Sequence, residues 1–106
     1  MQLVIERKKW SRKVYGNKVF DGEKYCIQGF IGKAIGIPDE EMLGEWNLGK
    51  FVHKYPSLKW LYKKTKFRKY EIDNQTILIC LNDSATTPES ELLNFLRSAK
   101  FDVKVI

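Results

Sequence analysis

Residues 24–35 read Lys24-Tyr25-Cys26-Ile27-Gln28-Gly29-Phe30-Ile31-Gly32-Lys33-Ala34-Ile35. The apolar residues of this stretch fall at helical spacing in two adjacent stripes, which together make a wide apolar face. The stripes consist of Cys26, Phe30 and Ala34, and of Ile27, Ile31 and Ile35. Gly36 and Pro38 follow, and they end a helix because glycine adopts the left-handed cap and proline blocks continuation. The pattern predicts a helix over residues 24–35 at the centre of the fold.

Two glycines lie inside this predicted helix, at Gly29 and Gly32. Each glycine costs about 1 kcal/mol of helix stability relative to alanine. The close approach of another part of the chain is the usual reason for keeping glycine in such a position. We therefore expect a strand over residues 76–81 to pack against both glycines.

The C-terminal third of the chain predicts a strand, a helix and a second strand. Both alternating faces of residues 76–81 are apolar, as in a buried strand. Thr87 followed by Pro88 is typical of a helix start, so a helix is expected over residues 88–99. Val103 and Val105 then alternate with Asp102 and Lys104, as in a half-covered strand near residues 102–106. The order allows a right-handed crossover with parallel pairing.

The N-terminal part of the chain contains shorter segments whose apolar residues recur less regularly. Residues 1–15 allow an amphipathic helix or, alternatively, a strand over residues 3–5. Glycine-containing turns are expected near residues 16–17 and 21–22, and a short helix near residues 39–43. The expected fold is α/β, with α+β still open: a single small domain over residues 1–106. Its short sheet includes strands near 76–81 and 102–106, packed by helices near 24–35 and 88–99.

Length and composition narrow the class of protein. A chain of 106 residues that is 43% hydrophobic has room for one domain with one core. The net charge of +6 and a pI near 9.3 favour acidic partners. No apolar run is long enough to span a bilayer, and no secretory signal is visible. We therefore expect a cytoplasmic protein with no membrane partner, in which Cys26 and Cys80 are buried free thiols rather than a disulfide.

Residues 46–70, hereafter the basic-aromatic segment, contain eight basic residues, seven aromatic residues and no acidic residue. Cationic groups meet phosphates and aromatic rings stack on bases, so the pattern is typical of a polyanion site. The predicted ligand-binding residues are Lys50, Lys54, Lys59, Trp60, Tyr62, Lys63, Lys64, Lys66, Arg68, Lys69 and Tyr70. The expected partners are nucleic acid, a nucleotide or an acidic protein. Alternatively, the segment is a solvated face whose aromatic residues, such as Trp46, point into the core.

The nature of the basic residues limits the kind of binding. Lysine outnumbers arginine fifteen to four, and arginine is the preferred residue for bidentate base reading. Neither a zinc finger nor a glycine-rich phosphate loop is present, so no metal and no cofactor are predicted. The sequence thus favours a non-enzymatic binding protein whose contacts tolerate different base sequences.

A thiol hydrolase or transferase is the alternative function. Cys26, His53 and Asn82 occur in the chain order of a Cys-His-Asn hydrolase, in which a helix N-terminus lowers the thiol pKa and the imidazole takes its proton. Alternatively, Cys26 is an unreactive thiol in the core, because it begins one apolar stripe of the predicted helix. Asn82 and Asp83 form a possible separate ligand site in a loop at the carboxyl end of the predicted strand, where open α/β sheets bind ligands. Alternatively, the two side chains bind no ligand and only stabilise a turn or a helix end, because Asn and Asp hydrogen-bond to nearby backbone in such loops.

Two pieces of the chain resemble a functionally uncharacterised family of small phage and bacterial proteins. The first piece is the Cys-x-x-Gly helix, Tyr25-Cys26-Ile27-Gln28-Gly29-Phe30-Ile31-Gly32, with Trp10 before it. The second is the Asn82-Asp83 pair before a threonine-capped last helix. The resemblance implies a phage or mobile-element context, and hence the host cytoplasm and an acidic host protein as the possible protein partner, but no activity. The basic-aromatic segment lies outside it and is far more basic.

Overall fold

The computed structural model describes residues 1–14 and 16–106. Of the two alternatives for residues 1–15, the strand is confirmed and the helix is wrong for the described part; Tyr15 lies outside the described residues. Strand β1 spans Gln2–Ile5, and a 3-10 turn, Arg7–Lys9, follows it. Leu3 and Ile5 are fully buried while Gln2 and Val4 are exposed. This period of two is that of a strand with one covered face.

The central helix is confirmed in slightly shorter form, as α1 over Ile27–Ala34. It starts later than predicted because Tyr25 and Cys26 are extended, with Tyr25 bridging to both Trp10 and Phe20. Six consecutive residues from Ile27 to Gly32 are buried, whereas Ala34 at the end of its stripe is exposed. Gly36 stops the helix with φ +96°, the left-handed conformation that the cap needs.

The predicted strand over residues 76–81 is wrong, because this segment belongs to helix α3, Asn74–Asp83. The carboxylate of Asp73 starts the helix by accepting a hydrogen bond from Thr76 N at 2.7 Å. Buried positions follow the helical period: Asn74, Ile77, Leu78, Leu81 and Asn82. Ile79 and Cys80 are apolar but exposed. Because of them the sequence pattern resembles that of a strand with two apolar faces.

The last two predicted elements are confirmed. Helix α4 spans Glu89–Ser98, with Pro88 instead of the expected Thr87 at its N-cap position, and strand β4 spans Asp102–Val105. β4 pairs in parallel with β1, not with residues 76–81. Gln2 lies opposite Asp102 and Ile5 opposite Val105. The α/β fold class is therefore confirmed, although the sheet contains β1 where the sequence predicted residues 76–81.

One cluster of buried side chains joins these elements. Helix α1 packs on β1 and α3, and α4 packs on α3 and β4. The short helix α2, Asp39–Met42, confirms the prediction for that region and contributes the fully buried Met42. Within the described part of the chain, no helix is long and apolar enough to cross a membrane.

Candidate polyanion-binding surface

The basic-aromatic segment folds as two 3-10 helices, Gly49–Phe51 and Pro56–Tyr62, followed by a hairpin of β2, Lys64–Phe67, and β3, Tyr70–Asp73. The segment is anchored by Phe51, Leu58 and Leu61, which are buried in the core. All eight of its basic side chains are exposed: Lys50, Lys54, Lys59, Lys63, Lys64, Lys66, Arg68 and Lys69. The fold therefore presents every predicted cationic contact to solvent.

The second 3-10 helix carries a lysine and an exposed tyrosine on the same side. Side chains three residues apart lie above one another in a 3-10 helix, and Leu58 and Leu61 take the inner side. Lys59 and Tyr62 therefore share the outer side, where Tyr62 is 51% exposed. The ring of Tyr62 and the ammonium group of Lys59 can thus meet one ligand together.

The hairpin arranges two further lysines on one face. Lys64 and Lys66 are exposed, whereas Thr65 and Phe67 between them are half-buried. Arg68 and Lys69 form the turn with φ values of 52° and 86°. These positive angles match the type I′ turn that suits the twist of a two-residue hairpin. Strong turn residues such as Asn-Gly are absent, so no local pattern predicts this turn.

Acidic residues from outside the segment reach some of its cations, which the sequence did not show. Lys50 pairs with Glu45 at 3.3 Å, and Arg68 pairs with Glu91 at 3.2 Å. The hairpin register sets Asp73 opposite Lys64 and Glu71 opposite Lys66. Such exposed pairs contribute little free energy, about 0–1 kcal/mol, so they leave the cations available to a ligand.

Four lysines have no acidic residue against them, either in an ion pair or across a strand, in residues 1–14 and 16–106: Lys54, Lys59, Lys63 and Lys69. They come from the loop before the second 3-10 helix, from that helix, from its end and from the hairpin turn. A polyanion can meet these four lysines without displacing an internal partner.

The aromatic residues of the segment divide into exposed and packed rings. Tyr70 is 69% exposed, so both predicted tyrosines, Tyr62 and Tyr70, are accessible for stacking. Trp60 is half-buried and packs against Phe95 and Phe101, with ring centroids 6.2 and 5.2 Å away. Its ring is mainly a packing group at the edge of the core.

Trp46 does not point into the core, as the alternative interpretation of the segment expected. It is 59% exposed, and the Lys18 ammonium group lies 4.4 Å from its ring centre. The polar surroundings Glu45 and Asn47 were the only local signal of exposure. The pair is one of several in which a cation lies beside a ring, as Lys54 does at Tyr55 and Arg68 at Phe67.

A half-open groove of about 320 Å³ adjoins the lysine-rich surface. Lys63 and Lys100 lie on it together with the packed rings of Trp60 and Phe95. Its polar wall includes Asn74, whose side chain is already bonded to Trp60 O and Thr65 Oγ1. The groove extends the cationic surface but offers few unused polar atoms of its own.

The proposed Cys-His-Asn set has the wrong environment for an activated thiol. Cys26 is buried, and burial raises the pKa of its thiol to about 11, with backbone N–H groups at the helix start only partly opposing this. His53 is exposed on the surface. At neutral pH the Cys26 thiol therefore stays protonated, which agrees with the core interpretation. Cys80, also a free thiol, is exposed rather than buried as expected.

Asn82 and Asp83 end helix α3 instead of forming a loop after a strand. The Asn82 carboxamide oxygen accepts hydrogen bonds from Trp10 Nε1 at 2.8 Å and from Ile27 N at 3.2 Å, while its amino group donates to Ser11 O at 3.0 Å. Asn82 thus caps the start of α1 from another helix. Every polar atom of its side chain serves the fold, so the alternative of capping chemistry accounts for this residue.

Comparison of the chain with protein-family models, curated proteins and solved structures finds no match. The resemblance to small phage and bacterial proteins stays a prediction. Its separate pieces do meet in the fold, because Trp10, the start of α1 and Asn82 are joined by hydrogen bonds.

Proposed function

We propose that this protein binds nucleic acid through the basic-aromatic segment, preferring single strands and tolerating different base sequences. The observation that carries the proposal is the group Lys54, Lys59, Lys63 and Lys69: exposed, close in sequence, and without an acidic partner in the described part of the chain. A phosphate backbone supplies the repeated negative charge that such a surface lacks.

Exposed rings favour a single strand over a duplex. Tyr62 and Tyr70 lie within the same segment as the lysines, and bases of an unpaired strand are free to stack on such rings. Stacking contributes about 1–3 kcal/mol per base and depends little on the identity of the base. Lysine contacts to phosphate are likewise independent of sequence, because an ammonium group acts as a point charge.

Fluorescence anisotropy with labelled single- and double-stranded oligonucleotides, at several salt concentrations, tests the proposal. If the four lysines each neutralise one phosphate, the affinity for a single strand falls with salt with a logarithmic slope of about −3. Tighter binding of the single strand than of the duplex is expected because only the single strand can stack.

A matched pair of double variants locates the site. Lys59→Gln with Lys63→Gln removes two cations from the proposed surface, so the magnitude of the salt slope should fall by about 1.4. Lys8→Gln with Lys9→Gln removes the same charge from exposed positions outside the segment and should leave the slope nearly unchanged. Equal effects of both pairs would show non-specific attraction by net charge. No binding at low salt would overturn the nucleic-acid proposal and favour an acidic protein partner.

The exposed rings have a separate test. Tyr62→Leu and Tyr70→Leu keep an apolar side chain but remove the aromatic face. We expect each to weaken single-strand binding about five- to hundredfold without changing the salt slope. Unchanged affinity in both variants would contradict stacking and leave a purely electrostatic surface.

A further inference from the structure

Strand β4 has one paired edge and one open edge. Toward β1, Asp102 N donates to Met1 O and Ile106 N donates to Ile5 O, both at 2.9 Å. Because backbone groups alternate along a strand, those of Val103 and Val105 point to the other side. Over residues 1–14 and 16–106, the N–H and C=O groups of these two valines have no backbone partner outside the β1–β4 pair.

Burial distinguishes this edge from the opposite one, on β1. Leu3 and Ile5 of β1 have no exposed surface, because α1 packs over that strand. Val103 and Val105 of β4 face the core but are only half-buried. The β4 edge therefore combines unpaired backbone groups with apolar side chains that remain partly open to solvent. Such an edge is a template for another strand unless something covers it.

We propose that β4 pairs with β4 of a second copy of this chain, in antiparallel orientation and centred on Val103. In this register Val103 lies opposite Val103 of the second copy, and the two residues exchange backbone hydrogen bonds. Val105 N then points at Phe101 O of the second copy. A continuous sheet of order β1-β4-β4-β1 results, with the two-fold symmetry of most homodimers.

Charge complementarity fits a second copy. With Val103 at the centre, Asp102 lies directly opposite Lys104 of the second copy, and Lys104 opposite its Asp102. Both residues are exposed, so the two ion pairs form on the solvent face of the sheet. The neighbouring register, centred on Lys104, would use the same outward backbone groups, with Val103 opposite Val105 of the second copy, but it sets Lys104 opposite Lys104. The charges therefore favour the register centred on Val103.

The contact is small because the paired strands have only four residues. An interface of this size is below the usual range for tight complexes, so we expect a weak dimer that forms as concentration rises. Sedimentation equilibrium of the whole chain, up to about 1 mM, should show a monomer–dimer equilibrium.

Charge-reversed variants test the register. Asp102→Lys sets lysine opposite lysine, and Lys104→Asp sets aspartate opposite aspartate, so each variant alone should dimerise at least about tenfold more weakly than the parent. In an equimolar mixture of the two, every pair is again lysine with aspartate, and a heterodimer should form. The double variant, which exchanges both charges, should dimerise like the parent.

Control measurements keep the result decisive. Both side chains are exposed and lie outside the core, so unchanged circular dichroism and melting should show that each variant is folded. Gln2→Lys alters the edge of β1 and should not affect association. A parent that stays monomeric at every concentration would overturn the proposal. So would single variants that dimerise as well as the parent, since association would then use another surface.

Discussion

Substitution of Gly29 by alanine tests the packing of the central helix. A Cβ atom at Gly29 would lie 2.8 Å from Tyr25 Cβ and closer still to the carbonyl oxygen of Val19. The oxygen belongs to backbone that also accepts a hydrogen bond from Cys26 N at 3.3 Å. No side-chain rotation can relieve this clash, so the chain around Val19 must move.

The magnitude follows from two opposing contributions. Overpacking costs about 1–3 kcal/mol, and a clash with backbone belongs at the upper end of that range. Replacement of glycine by alanine inside a helix returns about 1 kcal/mol. We expect a net loss of about 2 kcal/mol in the free energy of unfolding. At about 4–8 °C per kcal/mol for a domain of this size, the Tm should fall by roughly 8–16 °C.

Gly32→Ala is the matched comparison in the same helix. Its Cβ would meet Met42 Sδ at 2.5 Å and Leu48 Cδ2 at 3.3 Å. Both atoms are at the far ends of side chains, and methionine adjusts its rotamers at low energy. Overpacking and the gain in helix propensity should nearly cancel, with a change of less than about 1 kcal/mol.

Thermal and urea unfolding of the parent and both variants, followed by circular dichroism, give the comparison. The sequence had predicted that a strand over residues 76–81 blocks both glycines; in the structure Val19 and Tyr25 block Gly29, and Met42 and Leu48 block Gly32. An unchanged or higher Tm for Gly29→Ala would refute this packing. So would a larger loss for Gly32→Ala than for Gly29→Ala.

Two further predictions concern buried polar groups. Asn82→Leu leaves the donors Trp10 Nε1 and Ile27 N unpaired, which costs about 1–3 kcal/mol for each donor. Urea unfolding should therefore show a free energy of unfolding lower by about 2–6 kcal/mol. A decrease of less than about 1 kcal/mol would contradict the capping role. Because the pKa of Cys26 is raised from 9.0 to about 11, the folded state holds this proton more tightly than the unfolded state. The free energy of unfolding should therefore decline between about pH 9 and 11, and Cys26→Ala should reduce this decline. Brief iodoacetamide treatment near neutral pH should label Cys80 but not Cys26. Labelling of Cys26 would favour an activated thiol.

Local patterns in the sequence were sufficient for several elements. Helix α1, helix α4 and strand β4 were predicted because each carries a clear periodicity between residues that stop or start it, such as Gly36 and Pro88. The exposed basic side chains were also predictable, since lysine is almost never fully buried without a partner. These features depend on neighbours in the chain, which the sequence displays directly.

Longer-range contacts decided the elements that were missed. Residues 76–81 are apolar all round, so alternation could not separate a strand from a helix, and it is Asp73 at the start and the buried Asn82 at the end that fix α3. The pairing of β4 with β1 joins the two ends of the chain. No local pattern specifies a partner a hundred residues away.

Periodicity and charge are properties of the chain, so the sequence alone was enough to predict an amphipathic central helix, a basic-aromatic segment and α/β character. Which carboxylates meet the basic side chains depends on the tertiary structure. Glu91 of α4 pairs with Arg68 of the hairpin, and Asn82 of α3 caps α1. The physical reason is that ion pairs and caps depend on distances in space, which are set only once the core has packed.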